Sequence, residues 1–144
     1  MAGQKEKIMR FDIITIFPDM FSAVLNESIV KRAQEKKKVV IRIHDLRDYT
    51  NEKHRKVDDR PFGGGPGMVI MPQPLFDAVL KIRGRRKAKV ILMCAGGKPL
   101  SQSMAQKLSK AKDVIVVCGH YEGVDDRFRE QLVDESISIG DYVL

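Results

Sequence analysis

VILMCAGGKP at residues 90–99 and VIVVCGHYEG at residues 114–123 are built alike: four continuous apolar residues, a cysteine, then a turn containing glycine. A short apolar run without alternation fits a strand covered on both faces, the kind found inside parallel sheets. The flanking sequence agrees. RFDIITIF at 10–17 alternates and is β-branched, which predicts a strand, and Pro18-Asp19 punctuates the entry into a helix. A second helix is expected over 27–38, then a strand at VVIRI (39–43), a long polar, glycine-rich loop over 46–67, and helical spacing at 73–82. Helices over 101–109 and 125–133 separate the remaining strands, the last being 135–139. Alternating strand and helix predicts an α/β domain around a largely parallel sheet flanked by helices.

At 144 residues and 43% hydrophobic content, the chain can build one core. No apolar run approaches the ~18 residues needed to span a bilayer. The opening MAGQKEK also lacks the apolar stretch of a secretory signal, so a soluble, cytoplasmic protein is expected, with no membrane partner. Cys94 and Cys118 lie in apolar runs without ligand-like spacing, which favours buried free thiols and no metal. Lys and Arg number 26 against 19 Asp and Glu, and the excess gathers at KRAQEKKK (31–38) and KIRGRRKAK (81–89). Such clusters suit a polyanion or simply a solvated surface. Their distance from a ligand site decides between the two.

Ligands of open parallel sheets collect beyond the carboxyl ends of the strands. Three such ends run here into glycine turns: CAGGKP, GHYEG and IGDY (139–142). Common phosphate cradles fail in detail. A Walker A reading of Gly97-Lys98 needs glycine at Leu92 and Ser or Thr at Pro99, and a G-x-G-x-x-G reading of the 63–67 glycines needs glycine at Met68. His44, His54 and His120 lack partners at metal or triad spacing. DDRPFGGGPGM (58–68) lets backbone amides approach a flat ligand or phosphate closely. Asp58, Asp59 and Arg60 are candidates there for substrate binding or for pairing within the loop.

The order of MRFDIITIFPDMF (9–21), VDDRPFGGGPGM (57–68), VCGHYEGVDDR (117–127) and SIGDYVL (138–144) resembles the amino-terminal domain of the bacterial tRNA (guanine-N1)-methyltransferases of the TrmD type, in the SPOUT superfamily. The resemblance covers nearly the whole chain. It implies a trefoil-knotted α/β fold, an exception to the rule of unthreaded chains, and a homodimer binding S-adenosylmethionine in the knot. Carried over by motif, the cofactor pocket is lined by Leu92, Met93, Cys94 and Ala95, by Gly119, Tyr121, Glu122 and Gly123, and by Ser138, Ile139, Gly140, Tyr142 and Leu144. Cys94-Ala95-Gly96 replaces a common Ser-Pro-Gln, which bears on side-chain contacts there more than on backbone ones.

Glu122 is expected to face the target guanine. Asp58, Asp59, Arg60, Pro61, Phe62, Gly63, Gly64 and Gly65 are expected to hold the tRNA around it. The family's reaction moves a methyl group to N1 of the guanosine following the anticodon. That nitrogen carries a proton, so in-line alignment must be combined with proton removal. Family members continue past this point with a Gly-Gly-Glu-Leu-Pro stretch, a linker and a helical carboxy-terminal domain, and the resemblance implies that the general base, an aspartate, lies in that further part. The expected layout is therefore a flexible start over 1–8 and the cofactor-binding domain over 9–144, with the tRNA-binding domain absent. A chain ending at Leu144 is also expected to leave the knot incomplete and to be poorly active alone. A non-catalytic RNA-binding module is the competing reading, and cofactor binding separates the two.

Overall fold

The computed structural model describes residues 8–59, 69–119 and 124–138. Its central feature is a sheet of five strands: β1 (Met9–Thr15), β2 (Val39–Asp45), β5 (Lys89–Pro99), β6 (Asp113–Cys118) and β7 (Glu135–Ser138). They lie in the order β2-β1-β6-β5-β7, and every neighbouring pair is parallel. Two further short strands, β3 (Asp58–Asp59) and β4 (Val69–Ile70), form a separate antiparallel ladder.

The helices are α1 (Pro18–Leu25), α2 (Ser28–Glu35), α3 (Pro72–Arg83), α4 (Gln102–Leu108) and α5 (Asp126–Leu132). Local chemistry sets their ends. Prolines open α1 and α3, where a missing N–H costs nothing. The Ser101 hydroxyl accepts from the Met104 amide at the start of α4, and the Asp125 carboxylate accepts from the Arg127 amide at the start of α5. Gly84, at φ 57°, closes α3 in a left-handed conformation that suits glycine.

Both faces of the sheet are covered at its centre, which explains the continuous apolar runs. On one face Ile14, Val90, Leu92, Ile115 and Val117 pack with Leu75, Ala78 and Val79 of α3 and Phe128 of α5. Phe76 and Phe128 meet edge to face, with ring centroids 5.6 Å apart. On the other face Ile91, Val114 and Ile137 pack against Met104 and Leu108 of α4.

Three details depart from the sequence expectations. Helix α2 stops at Glu35, short of residue 38, and the chain leaves it through Lys37 at φ 56°. The 46–67 segment is not wholly irregular: Leu46–Tyr49 forms a 3₁₀ turn in which the Asp45 carboxylate accepts from the Arg47 amide, and β3 follows. Strand β5 runs on to Pro99 because it pairs with β7 twice. Met93 and Lys98 both register with Ile137, so residues 94–97 arch out of the ladder between them. No described helix is long and apolar enough to cross a membrane. The start over 1–7 and the last residues, 139–144, on which the knot expectation turns, lie outside the described residues.

Candidate functional site

The parallel register brings the carboxyl ends of β5, β6 and β7 side by side. Leu92 faces Val117 of β6 and Ser136 of β7, and Met93 faces Cys118 and Ile137. The Gly119 amide donates to the Met93 carbonyl at 3.0 Å, tying the end of β6 to the end of β5. A Cβ on Gly119 would lie 3.0 Å from that carbonyl oxygen. Gly97 is pinned harder: a Cβ there would come within 2.6 Å of the β7 main chain at Ser136 and Ile137. Gly96 has open space around it. Glycine at 97 and 119 thus lets three backbones close up at one edge, and the Leu100 amide completes the junction by donating to the Ser138 carbonyl at 2.8 Å.

Of the expected cofactor residues, Leu92, Met93, Cys94, Ala95, Gly119 and Ser138 fall at this edge. Leu92 is fully buried, between β6 and β7, so it backs the edge from within the core. Ser138 is buried as well. Burial pushes the Cys118 thiol up to about 11, so it stays protonated at neutral pH and is a poor nucleophile. Tyr121, Glu122, Gly123, Ile139, Gly140, Tyr142 and Leu144 lie outside the described residues, as do Arg60, Pro61, Phe62, Gly63, Gly64 and Gly65.

Asp58 and Asp59 form β3, where they register with Ile70 and Val69. Ile70 also bridges to Val124, whose side chain comes near Gly119, so β4 stands beside the end of β6. The segment leading into it is a stitched turn. The Glu52 carboxylate accepts the amides of His54 and Lys56 at 2.8 and 3.0 Å, which hold it below the ordinary value. Gln73 of α3 reaches across to accept from the Asn51 amide and to donate to the Tyr49 carbonyl.

A charged cluster escapes the sequence reading. Asp12 of β1 is 0% exposed and accepts from Arg10 Nε at 2.9 Å. His44 Nε2 lies 2.7 Å from its other oxygen. Arg86 Nη2 stands at 3.4 Å, and Arg86 Nη1 also donates to both oxygens of Asp113 at 2.9 and 2.7 Å. Burial raises the Asp12 carboxyl, but the Arg10 and His44 hydrogen bonds outweigh it and leave the group below its usual range. The available signal was a lone acid inside RFDIITIF.

Arg86 is thereby removed from the cations open to a polyanion. Residues 81–88 lead into β5, which begins at Lys89, and residues 31–38 lead into β2, so both clusters stand at the amino end of the sheet, opposite the candidate site. They do not border the candidate site within this chain. Among the described residues no group of three or more His, Cys, Asp or Glu is arranged to hold a metal ion.

Comparison with known proteins matches this arrangement to one family. The sequence profile described as tRNA (Guanine-1)-methyltransferase TrmD matches residues 9–144. A tRNA (guanine-N(1)-)-methyltransferase from Staphylococcus carnosus is 53% identical over 136 residues, covering 94% of this chain and 56% of that protein. One from Bacillus cereus is 54% identical over 138 residues, covering 94% and 57%. The crystal structure of tRNA (m1G37) methyltransferase from Aquifex aeolicus superposes with a TM-score of 0.83 at 39% identity, over 95% of this chain and 62% of that one. The chain thus spans a little over half the length of the curated relatives it matches.

Proposed function

The chain belongs to the TrmD family of tRNA (guanine-1)-methyltransferases, and from that premise we propose that it carries the S-adenosylmethionine-binding part of a cytoplasmic enzyme methylating N1 of the guanosine 3′ of the anticodon in tRNA. The observation that carries this reading is the junction of β5, β6 and β7, where Gly119 is bonded to Met93 and Gly97 rests on the β7 backbone. Such an edge suits a flat adenine and its ribose: main-chain groups at Met93, Cys94 and Gly119 read polar edges, and apolar strand ends, backed by Leu92, flank the ring. When bound, S-adenosylmethionine supplies an electrophilic methyl group. The chain's own residues hold and orient. In this reading Tyr121, Gly123, Ile139, Gly140, Tyr142 and Leu144 complete the pocket, and Glu122 accepts hydrogen bonds from the guanine edge.

Residues 58–65 hold the RNA around that base, since the β3–β4 ladder and the Ile70–Val124 bridge anchor this loop next to the end of β6. A homodimer is part of the proposal. Met20, Val24 and Ile29, at 60%, 56% and 77% exposure on α1 and α2, offer apolar surface for it. Calorimetry with S-adenosylmethionine on the folded chain tests the pocket directly. A measurable heat, lost in Gly140→Val, is expected. No heat at millimolar ligand would leave the non-catalytic RNA-binding module as the better reading. Transfer of labelled methyl to a tRNA with guanosine after the anticodon, absent when that base is adenosine, tests the substrate.

A further inference from the structure

Three connections far apart in sequence deliver cations to one edge of the sheet. Lys36, Lys37 and Lys38 lead into β2, and the Lys38 carbonyl accepts from the Met9 amide at 3.0 Å. Lys110 and Lys112 lead into β6, and the Lys112 carbonyl accepts from the Arg10 amide at 2.8 Å. The first residues of β1 are therefore clasped between two lysine-bearing turns. Arg83, Arg85 and Lys87 lead into β5 on the far side of β6. With neighbouring strands ~4.8 Å apart, the starts of β2 to β5 span roughly 15 Å, a continuous basic ridge.

The ridge is not neutralised from within. Of the carboxylates at this end, Asp113 is engaged by Arg86 at 2.7 Å and Glu135 by Lys89 at 3.3 Å, while Asp134 accepts from the Val90 amide at 2.7 Å. Lys36, Lys37, Lys38, Arg83, Arg85 and Lys87 have no ion-pair partner among the described residues. Lys37 adds an independent observation. It occupies the left-handed position after α2, at φ 56°, where glycine would be unstrained. A long cation is kept there at a backbone cost of about 1 kcal/mol.

We infer that this amino-terminal edge is a second RNA-binding face, gripping phosphates without reading bases, about 20 Å from the glycine-turn edge by the length of a seven-residue strand. The inference rests on the RNA-substrate reading above but adds a surface to it, on the side of the sheet away from the methyl donor. Lysine is suited to such contact because it meets a phosphate as a point charge and tolerates many geometries.

The test uses the 144-residue chain, a labelled tRNA transcript, and two variants, Lys36/Lys37/Lys38→Gln and Arg83/Arg85/Lys87→Gln. All six side chains lie outside the Asp12 cluster, and thermal melts confirm that each variant is folded. Each variant is expected to bind RNA about tenfold more weakly at ~0.1 M salt, and the slope of log affinity against log salt should flatten by roughly 2, as three lost phosphate contacts require. The heat of S-adenosylmethionine binding should be unchanged. Competition by an unrelated RNA hairpin at equal phosphate concentration would mark the face as sequence-independent. Unaltered slopes in both variants, with donor binding intact, would overturn the second face and leave the proposed function standing. Tighter binding to vesicles of anionic phospholipid than to RNA would overturn it in favour of a membrane surface. A folded chain binding neither RNA nor S-adenosylmethionine would defeat both readings together.

Discussion

The two ends of the same parallel sheet are held by opposite means. At the carboxyl end, glycine lets main chains touch: Gly119 on Met93 and Gly97 on β7. Toward the amino end, charges neutralise one another below a ridge of lysine and arginine, with Asp12, Arg10, His44, Arg86 and Asp113 forming the network beneath. Backbone contact gives a shape that salt does not alter, as suits a pocket for one small molecule. A charged ridge gives attraction without shape, as suits an extended polyanion. The strands between them make the two ends mechanically one body yet chemically independent.

The largest expected effect tests that independence from the charged side. Asp12→Ala leaves Arg10 and Arg86 facing a void, and because both arginines are partly solvated the loss should be about 3 kcal/mol, at the lower end for a broken buried pair. Urea unfolding reads it. Donor affinity of the folded fraction should be unchanged, and a tenfold loss would show that the ends are coupled. The same carboxylate sets an acid limit. Its folded-state value lies below the ordinary one, so the unfolded chain takes up the proton first. Its contribution is complete above about pH 4 and is lost as pH falls through the folded value. In Asp12→Asn this part of the acid dependence should be missing from a pH series of melts.

Gly97→Ala probes the other end. Its methyl group would meet β7 main chain at 2.6 Å, and main chain cannot swing aside, so about 2 kcal/mol of stability and most donor binding should go. Gly96→Ala, with nothing within 4 Å, is the matched control and should stay within ~0.5 kcal/mol. Equal losses at 96 and 97 would refute the backbone-contact account of the arch. Removing the Ser101 cap of α4, away from both ends, should cost about 1 kcal/mol by urea unfolding. The smallest effect concerns the ridge. Self-repulsion among its cations should relax as the screening length shortens, raising the melting temperature slightly between ~0.05 and ~0.5 M salt. The Lys36/Lys37/Lys38→Gln variant should show less of that gain.

Much of the fold was legible because the apolar runs at 90–93 and 114–117 are local signals, and they did become central strands buried on both faces. The arch at 94–97 was not, since its cause is β7, which arrives some forty residues later. Composition flagged both glycines there without showing which is pinned. Asp12 stood out as an acid in a strand, but beyond Arg10 its partners come from β2 and the turn after α3, positions that only the strand order brings together. The basic runs were plain in sequence, and their placement at the amino end followed from parallel topology alone. The lysines at 110 and 112 were too diluted by helix residues to register as a third run. Motif order identified the family, and the geometry then assigned the six described pocket candidates to one edge.

Strand β1 has a consequence for how the chain is made. It pairs on one side with β2, about 30 residues downstream, and on the other with β6, about 100 residues downstream. At ~5–20 residues per second on the ribosome, one flank of β1 waits roughly 5–20 s for its partner. During that interval it is an exposed, β-branched edge of the kind that seeds aggregation. An acid and a base set two apart in its sequence, Arg10 and Asp12, put charge on the edge while it stands open. The carboxylate that ties the finished sheet together therefore also guards the unfinished one, and replacing it with a β-branched apolar residue such as valine should raise the share of nascent chains lost to aggregates.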